Sequence, residues 1–379
     1  MFKILELFGG IGACSKALEK LGIDYKIVDY VEIDKYAVKS FNAIHNTNFE
    51  PQDITTYRKY EDIENWDKFY NIDLIMHGSP CQDFSLAGDQ AGGDEGSGTR
   101  SSLMYETLRI VKDLKPKYVI WENVKNLLSK KHKHNFDKYL EIMEELGYKN
   151  YYQVLNAKDY GIPQNRERVF TISIRNNIDK EFIFPEKQEL KLKLKDMLED
   201  NVDEKYYLSD KMINYISCRG TSNFKNPDCK INLDIARPLT TDQNKRAGTT
   251  NYLSKDLPNN YDLSNIEYIL KSKCKRLKAL CEKTNFEEGK ILNMDLYNQV
   301  VNENISQTIT EPHHNTQRLF DGLRIRKLTP KECWRLMGFN DEDFEKASKV
   351  NSDTQLYKQA GNSIVVTVLM AILKNLLQN

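Results

Sequence analysis

The sequence predicts an α/β fold, with a mixed, mostly parallel sheet and a smaller inserted lobe. In residues 1–175, short segments rich in Ile, Val and Leu alternate with amphipathic helical segments, which is the order of a parallel sheet covered on both faces. This alternation stops after residue 175 and returns near residue 324. At 379 residues the chain is long enough for one large core and a second lobe.

The predicted elements follow one another without long gaps in the first part of the chain. The predicted strands are Lys3–Phe8, Lys26–Glu32, Ile72–Gly78, Tyr118–Glu122, Tyr151–Ala157 and Arg168–Arg175, with a further short strand ending at Asp53. The predicted helices are Gly12–Leu21, Tyr36–His45, Ser102–Leu114 and Asn135–Leu146. Later in the chain, Thr329-Pro330 predicts a helix start with a capping box, and Ile364–Leu377 predicts a last apolar helix. In such folds, ligands bind at the carboxyl ends of the strands.

Composition limits the possible functions. Lys+Arg and Asp+Glu both number 55, so any basic face for nucleic acid would have to be local. The seven cysteines form no Cys-x-x-Cys pair and have no His partner at zinc spacing, so we expect reduced thiols and no metal. The first residues do not form a signal peptide, and the longest apolar run near the C-terminus is about half a membrane span. We expect a cytoplasmic protein without a membrane partner.

A glycine-rich turn follows the first predicted strand. Glycines in Phe8-Gly9-Gly10-Ile11-Gly12 would let backbone N–H groups approach a ligand at the start of a helix. Glu32, twenty residues beyond Gly12, ends the second predicted strand, where a carboxylate would accept both ribose hydroxyls. Asp53 could accept a hydrogen bond from an adenine amino group, although such a residue is more often part of a turn. NAD, FAD and S-adenosylmethionine (AdoMet) proteins share this pattern, and a plain tight turn is the alternative.

The segment Gly78-Ser79-Pro80-Cys81-Gln82-Asp83-Phe84-Ser85 follows the third long strand. Cys81 should therefore lie at the carboxyl edge of the sheet, and its polar neighbours distinguish it from a buried structural cysteine. Pro80 restricts the backbone next to the sulfur. The segment resembles the nucleophile motif of the DNA cytosine carbon-5 methyltransferases, in the arrangement G-S-P-C-Q-x-F-S.

Four further segments resemble motifs of that family and occur in its order. They are Trp121-Glu122-Asn123-Val124, Gln164-Asn165-Arg166-Glu167-Arg168, Leu328–Phe339 and Gln359-Ala360-Gly361-Asn362-Ser363. The matches cover residues 2–175 and 324–379. The resemblance implies the Rossmann-like fold of AdoMet-dependent methyltransferases. It also implies a catalytic AdoMet-binding domain at 1–175, a target-recognition domain at 176–322 and a returning C-terminal segment at 323–379.

The chemistry of the reaction gives these residues specific roles. Carbon 5 of cytosine is a poor nucleophile, but addition of the Cys81 thiolate to carbon 6 converts the ring to an enamine. Glu122, with a pKa raised in a dry pocket, would supply a proton to ring N3, while Asn123 would read the exocyclic amine or brace the loop. Arg166 and Arg168 should project from one strand face, one toward the cytosine O2 and the other toward Glu122 or a phosphate. A surface ion-pair cluster is the alternative for the two arginines.

The resemblance also implies AdoMet as cofactor, S-adenosylhomocysteine as product and a cytosine flipped out of double-stranded DNA. The residues expected to bind AdoMet are Phe8, Gly10, Gly12, Glu32, Ile33, Asp53, Ile54, Pro80, Asn362 and Ser363. Those expected to contact DNA are Ser85, Arg100, Gln243, Arg246, Gln317 and Arg318, the last four having donor patterns that suit purine edges. The segment 86–100, with five glycines, is predicted to be a mobile lid over bound DNA, or else a disordered loop.

The remaining expectations concern partners and competing functions. We expect a monomer associated with the nucleoid, serving a restriction-modification system with a cognate endonuclease, or acting as an orphan or phage enzyme. A relative that methylates tRNA would carry a Cys-Phe-Thr element in the variable lobe, and no cysteine here is followed by Phe-Thr. A non-catalytic DNA-binding protein would not need the nucleophile. A dinucleotide oxidoreductase would leave the Pro-Cys and Glu-Asn elements unexplained.

Overall fold

The computed structural model describes most of the chain at both ends and short segments in the middle. The described residues are 1–57, 71–80, 94, 96–208, 230–231, 233–239, 251–253, 261–262, 292–295, 300–303, 319–320 and 326–378. The chain forms two compact units. The first unit comprises Met1–Met197, Ile235–Gln243 and Pro330–Asn379, and the second comprises Leu198–Asp234 and Asn244–Thr329. The first unit therefore extends past Arg175 and includes a short segment from the middle of the chain.

A six-stranded sheet forms the centre of the first unit. Its strands are β1 (Phe2–Leu7), β2 (Tyr25–Val31), β3 (Leu74–His77), β4 (Tyr118–Val124), β5 (Tyr148–Asn156) and β6 (Glu167–Arg175), in the order β2-β1-β3-β4-β6-β5. Strands β2, β1, β3 and β4 are parallel, whereas β6 runs antiparallel to both of its neighbours. This mixed, mostly parallel sheet confirms the predicted fold class.

One predicted strand is wrong. The segment before Asp53 is not a strand, and the Asp53 carbonyl accepts hydrogen bonds from the backbone N–H groups of Thr56 and Tyr57 (3.1 and 3.0 Å). These bonds close a turn immediately after Asp53. The segment therefore bends back toward β2, where the Gln52 N–H donates to the Glu32 carbonyl (2.8 Å).

Eight helices are described in the first unit. They are α1 (Ala13–Lys20), α2 (Lys35–His45), α3 (Met104–Leu114), α4 (Lys133–Glu145), α5 (Pro330–Arg335), α6 (Asp341–Ser348), α7 (Asp353–Asn362) and α8 (Val366–Gln378). Helix α5 begins at Pro330, as predicted. The predicted last helix is shorter at its start, and Asn362 is the final residue of α7. Helices α6 and α7 were not predicted, although Asn340 and Asp343 form a capping box at the start of α6.

The C-terminal helices pack into the core of the first unit. Leu369, Ile372, Leu373 and Leu376 of α8 are fully buried. By length and composition alone, Asp353–Leu377 could span a membrane. An 18-residue stretch within it has a mean hydropathy of 1.6, and 56% of that stretch is buried within the protein. This is weak support for a membrane span, because a buried core helix passes the same test. The chain also leaves the helical conformation between α7 and α8.

The described residues of the second unit form short antiparallel strands. They are β7 (Lys230–Ile231), β8 (Tyr252–Leu253), β9 (Tyr261–Asp262), β10 (Leu292–Asp295), β11 (Val300–Glu303), β12 (Leu319–Phe320) and β13 (Arg326–Lys327). Strand β10 pairs with β11 and β12, β8 with β13, and β7 with β9. The four predicted base-reading residues, Gln243, Arg246, Gln317 and Arg318, lie outside the described residues.

Candidate active site

The turn between β1 and α1 needs glycine at two positions for steric reasons. A Cβ at Gly9 would lie 2.6 Å from the ring of Tyr30, and a Cβ at Gly12 would lie 2.2 Å from His45 Nε2. Gly12 also has a φ of +80°, in the left-handed region that favours glycine. Gly10, in contrast, has open space on its Cβ side, and its carbonyl accepts a hydrogen bond from the Tyr30 hydroxyl (2.6 Å). Tyr30 and His45 therefore pack against one side of the turn, and the other side, at Gly10, stays open.

Glu32 joins this turn to the start of α2. It lies one residue beyond β2, and its carboxylate accepts hydrogen bonds from the backbone N–H groups of Gly10 (3.1 Å) and Asp34 (2.9 Å). Burial raises the pKa of Glu32, and the two backbone hydrogen bonds oppose that effect. The parallel register of β1 and β2, in which Leu7 pairs with Val31, brings the two segments together.

A cavity of about 680 Å³ opens at the carboxyl edge of the sheet in the first unit. This volume falls within the range of roughly 300–1,000 Å³ that is usual for small-molecule sites. Its wall includes eight of the ten residues predicted to bind the cofactor: Phe8, Gly10, Glu32, Ile33, Asp53, Ile54, Pro80 and Asn362. It also includes Glu122, Arg166, Arg168 and Arg100.

Two predicted cofactor residues lie elsewhere. Gly12 packs against His45 and Phe41 and does not reach the cavity wall. Ser363 lines a smaller neighbouring cavity of about 40 Å³ together with Glu6 and Gly78, and its carbonyl accepts a hydrogen bond from Arg166 (2.9 Å). Neither position was distinguishable by sequence from its neighbours in the same motif.

Glu122 and Arg168 form an ion pair within the cavity. Arg168 Nε lies 3.1 Å from Glu122 Oε1, and only 9% of Glu122 is exposed. Burial raises the pKa of Glu122, while Arg168 and then Arg166 act in the opposite direction. Because β6 is antiparallel to β4, with Val124 paired to Arg168, the start of β6 lies beside the end of β4.

Arg166 holds backbone carbonyls from two distant segments. It is 4% exposed; its Nη1 donates to the Leu239 carbonyl (2.9 Å), and its Nη2 donates to the carbonyls of Gly361 (3.0 Å) and Ser363 (2.9 Å). Glu167 between the two arginines points away and pairs with exposed Lys125 (3.0 Å). The alternative of a surface ion-pair cluster therefore does not describe Arg166 or Arg168.

Asn123 braces the segment that leads to Cys81. It is 1% exposed, its Nδ2 lies 3.3 Å from the Ser79 carbonyl, and it does not contribute to the cavity wall. Of its two predicted roles, this placement supports bracing. Cys81, Ser85 and most of the predicted lid lie outside the described residues. Among the described lid residues, Arg100 lines the cavity.

Two contacts that support the cavity wall were missed by sequence reasoning. Arg109 Nη2 donates to the carbonyls of Ile54 (3.3 Å) and Tyr57 (2.7 Å), which holds the turn after Asp53. Lys358 pairs with Asp34 (2.7 Å) at the wall formed by α2 and α7. No local sequence pattern points to these contacts, because their partners are far apart in the chain. In the part of the chain that the structure describes, no group of His, Cys, Asp and Glu could hold a metal ion.

A family model described as C-5 cytosine-specific DNA methylase matches residues 2–378 of this chain. The chain belongs to the C-5 cytosine-specific DNA methylase family. It is 33% identical to the type II methyltransferase M2.ScrFI of Lactococcus lactis subsp. cremoris, over all of both chains. It is also 33% identical to the orphan methyltransferase M.SPRI of Bacillus phage SPR, covering 99% of this chain and 97% of the relative. The predicted family and enzyme class are thus confirmed. AdoMet dependence is general to this family.

Solved structures support the fold of this methylase. The Spodoptera frugiperda DNMT2 mutant structure matches with a TM-score of 0.65 at 21% identity, covering 99% of each chain. The Entamoeba histolytica methyltransferase EhMeth matches with a TM-score of 0.67 at 16% identity, covering 100% of this chain and 98% of that one. At these identities the likeness establishes the fold alone.

Proposed function

We propose that this methylase transfers a methyl group from AdoMet to carbon 5 of a cytosine flipped out of double-stranded DNA, through a covalent adduct with Cys81. One observation carries the proposal. The cavity wall contains both the Gly10–Glu32 pair, suited to a nucleoside, and the Glu122–Arg168 pair, suited to acid chemistry. Pro80, which precedes the proposed nucleophile, lies in the same wall.

The described residues fit AdoMet as the cofactor. The Glu32 carboxylate would accept hydrogen bonds from the ribose hydroxyls, and Asp53 would accept one from the adenine amino group. Ile33 lines the cavity and is 68% exposed, so its side chain is accessible to a ligand there. Phe8 and Ile54 supply further apolar wall for the adenine ring. When bound, AdoMet supplies an electrophilic methyl group for carbon 5.

The chain's own residues would carry the remaining chemistry. The Cys81 sulfur would form a bond to carbon 6 while Glu122 gives a proton or a strong hydrogen bond to ring N3, and the ring electrons then become available at carbon 5. The raised pKa of Glu122 favours its acid form. Arg168 would hold Glu122 Oε1 and so orient the carboxyl group. After transfer, a water molecule takes the carbon 5 proton, Glu122 recovers the N3 proton, and the Cys81 thiolate leaves as the carbon 5–carbon 6 double bond re-forms.

The wider setting follows from the relatives and the substrate. We propose that the enzyme acts as a monomer on double-stranded DNA in the cytoplasm, without a membrane partner. Similarity to a type II methyltransferase supports a partnership with a restriction endonuclease, and similarity to a phage orphan enzyme supports independent action. We propose that the second unit, which follows the catalytic motifs, reads the target sequence, and that residues 86–100 close over the flipped base.

Mechanism-based trapping tests the covalent step. Purified enzyme is incubated with AdoMet and amplified DNA in which 5-fluorocytosine replaces cytosine, because fluorine at carbon 5 cannot leave as the proton does. We expect a denaturant-stable complex whose cross-linked peptide contains Cys81. Cys81→Ser should form none, and Glu122→Gln should form it more slowly. Methylation of ordinary DNA without any adduct, or an adduct at another cysteine, would contradict the proposed mechanism.

A further inference from the structure

The buried indole of Trp121 donates a hydrogen bond to the segment that leads to Cys81. Trp121 Nε1 lies 2.9 Å from Ser79 Oγ, and the two residues are 1% and 3% exposed. Ser79 lies two residues beyond the end of β3, and Trp121 on the neighbouring β4 pairs with His77, the last residue of β3. Ser79 is two residues before Cys81 in the chain.

Strand alternation separates two tasks at the end of β4. Successive side chains of a strand point to opposite faces, so Trp121 and Asn123 share one face and Glu122 occupies the other. Trp121 reaches the Ser79 side chain, and Asn123 reaches the Ser79 carbonyl at 3.3 Å. Glu122 faces the cavity. The acid and the support for the nucleophile segment therefore come from one rigid strand.

The indole is fixed by aromatic packing against α4. Its ring centroid lies 4.1 Å from that of Tyr139 and 5.9 Å from that of Phe136. The His77 ring stacks nearly parallel to the indole, with ring centroids 5.7 Å apart and an interplanar angle of 4°. The Tyr139 hydroxyl is 3.0 Å from His77 Nε2, and burial lowers the pKa of His77 to about 3, so this imidazole is neutral. Trp121 is thus a donor that cannot easily reorient.

We propose that Trp121 is a positioning residue that acts through Ser79 to set the direction in which the chain enters Pro80-Cys81. The inference rests on the proposed function, in which Cys81 is the nucleophile. Pro80 fixes its own φ and restricts the residue before it, so few torsions separate the anchored Ser79 from Cys81. An indole and a hydroxyl that meet in a buried site also make a directional bond, whereas an apolar pair would only fill space.

Two substitutions remove the same hydrogen bond from opposite sides. Trp121→Phe keeps an aromatic ring but removes the donor, and Ser79→Ala removes the acceptor while leaving Trp121 intact. We expect each to slow formation of the 5-fluorocytosine adduct about tenfold, the order of one buried hydrogen bond. The double variant should be no slower than the slower single variant, because both changes break one interaction. Ser79→Thr, which keeps a hydroxyl group, should retain most of the wild-type rate of adduct formation.

A matched control separates positioning from general stability. Trp334 is also fully buried, and its Nε1 donates to the Leu356 carbonyl at 3.0 Å. Trp334→Phe should therefore lower the melting temperature comparably without changing the adduct rate. In addition, alkylation of Cys81 by iodoacetamide is followed across pH, with Cys81→Ser as the blank. Trp121→Phe and Ser79→Ala should change this pH profile in the same way. The Kd for AdoMet should stay constant in Trp121→Phe, because Trp121 does not line the cavity.

The outcomes distinguish this inference from the proposed function. If both single variants form adduct and react with iodoacetamide at the wild-type rate, or if their effects add in the double variant, the inference is wrong while the methylase mechanism stands. If the wild type forms no adduct at Cys81, the proposed mechanism fails instead. In that case unchanged alkylation profiles in the two variants would also reject the positioning role, and altered profiles would retain it.

Discussion

Arg168 on β6 and Glu122 on β4 meet at 3.1 Å because β6 runs against the other strands around it. In a fully parallel sheet, the first residues of β6 would lie at the opposite edge from the last residues of β4. The antiparallel pairing instead places the start of one strand beside the end of the other. The guanidinium can therefore hold a carboxyl group that burial would otherwise leave alone in the cavity.

Loss of Arg168 should change the pH dependence of methyl transfer. Arg168 is the largest influence that lowers the pKa of Glu122, so Arg168→Met should raise that pKa further. If protonated Glu122 is the active form, activity falls as pH rises through its pKa, and the alkaline limb should move to higher pH. The maximal rate should fall about ten- to a hundredfold, because the carboxyl group is no longer oriented. Glu167 is next to Arg168 in the chain but pairs with Lys125, so Glu167→Gln should leave the dependence of kcat/KM on pH unchanged.

Glu32→Gln should weaken AdoMet binding without changing the melting temperature by more than a few degrees. Gly10 and Asp34 donate to different oxygens of the carboxylate, so the amide keeps an acceptor for only one of these N–H groups. It also loses the negative charge and an acceptor proposed for the ribose. The Kd measured by isothermal titration calorimetry should rise about ten- to a hundredfold, as for one or two hydrogen bonds to a charged group. An unchanged Kd would remove Glu32 from the cofactor site.

Arg109 should affect AdoMet binding indirectly. Its guanidinium holds the carbonyls of Ile54 and Tyr57, so Arg109→Met should loosen the turn after Asp53. We expect the KM for AdoMet to rise about tenfold with little change in kcat, because the turn belongs to the proposed cofactor site and not to the proposed site of methyl transfer. Glu106→Gln removes the other partner of Arg109 and serves as the control. A fall in kcat at constant KM would contradict this role.

Glu6 should make the folded state less stable as pH rises. Burial raises the pKa of Glu6 from 4.5 to about 7, even though its carboxyl group accepts hydrogen bonds from Ser15. Between these two pH values the folded protein holds the proton that the unfolded chain has released, so the free energy of unfolding falls, by about 1.4 kcal/mol per pH unit at most. In urea unfolding, the free energy of unfolding of Glu6→Gln should increase relative to that of the wild type as pH rises from roughly 5 to 8.

The control for Glu6 is Glu50→Gln, which changes an exposed carboxyl group of the same unit. Its free energy of unfolding should track that of the wild type at every pH. If the Glu6→Gln and wild-type curves are parallel across this range, Glu6 does not hold a proton in the folded state.

Much of the site could be predicted because its parts are local in sequence. The glycine turn, Glu32, Pro80 and Glu122 each lie near the carboxyl end of a strand, and the carboxyl ends of parallel strands share an edge. Their presence in one cavity wall follows from strand order alone. Cys81 stays a prediction, because it lies outside the described residues.

The contacts that were missed depend on tertiary packing. The Arg109–Tyr57 and Trp121–Ser79 hydrogen bonds join residues 52 and 42 positions apart, and no local pattern encodes either pair. Helices α6 and α7 were missed because their polar composition hides a narrow buried face; in α7 that face includes Leu356, Tyr357 and Ala360. The capping box at Asn340 was the one local signal for α6, and it could have been recognised.

Bisulfite sequencing tests the central claim most directly. Plasmid DNA is incubated with AdoMet and either the wild-type enzyme, Cys81→Ser or Glu122→Gln, and each sample is then sequenced after bisulfite treatment. The account predicts protected cytosines in one repeated sequence context with the wild type, none with Cys81→Ser, and far fewer with Glu122→Gln. Protection that persists with Cys81→Ser, or no protected cytosine despite measurable AdoMet binding, would contradict it.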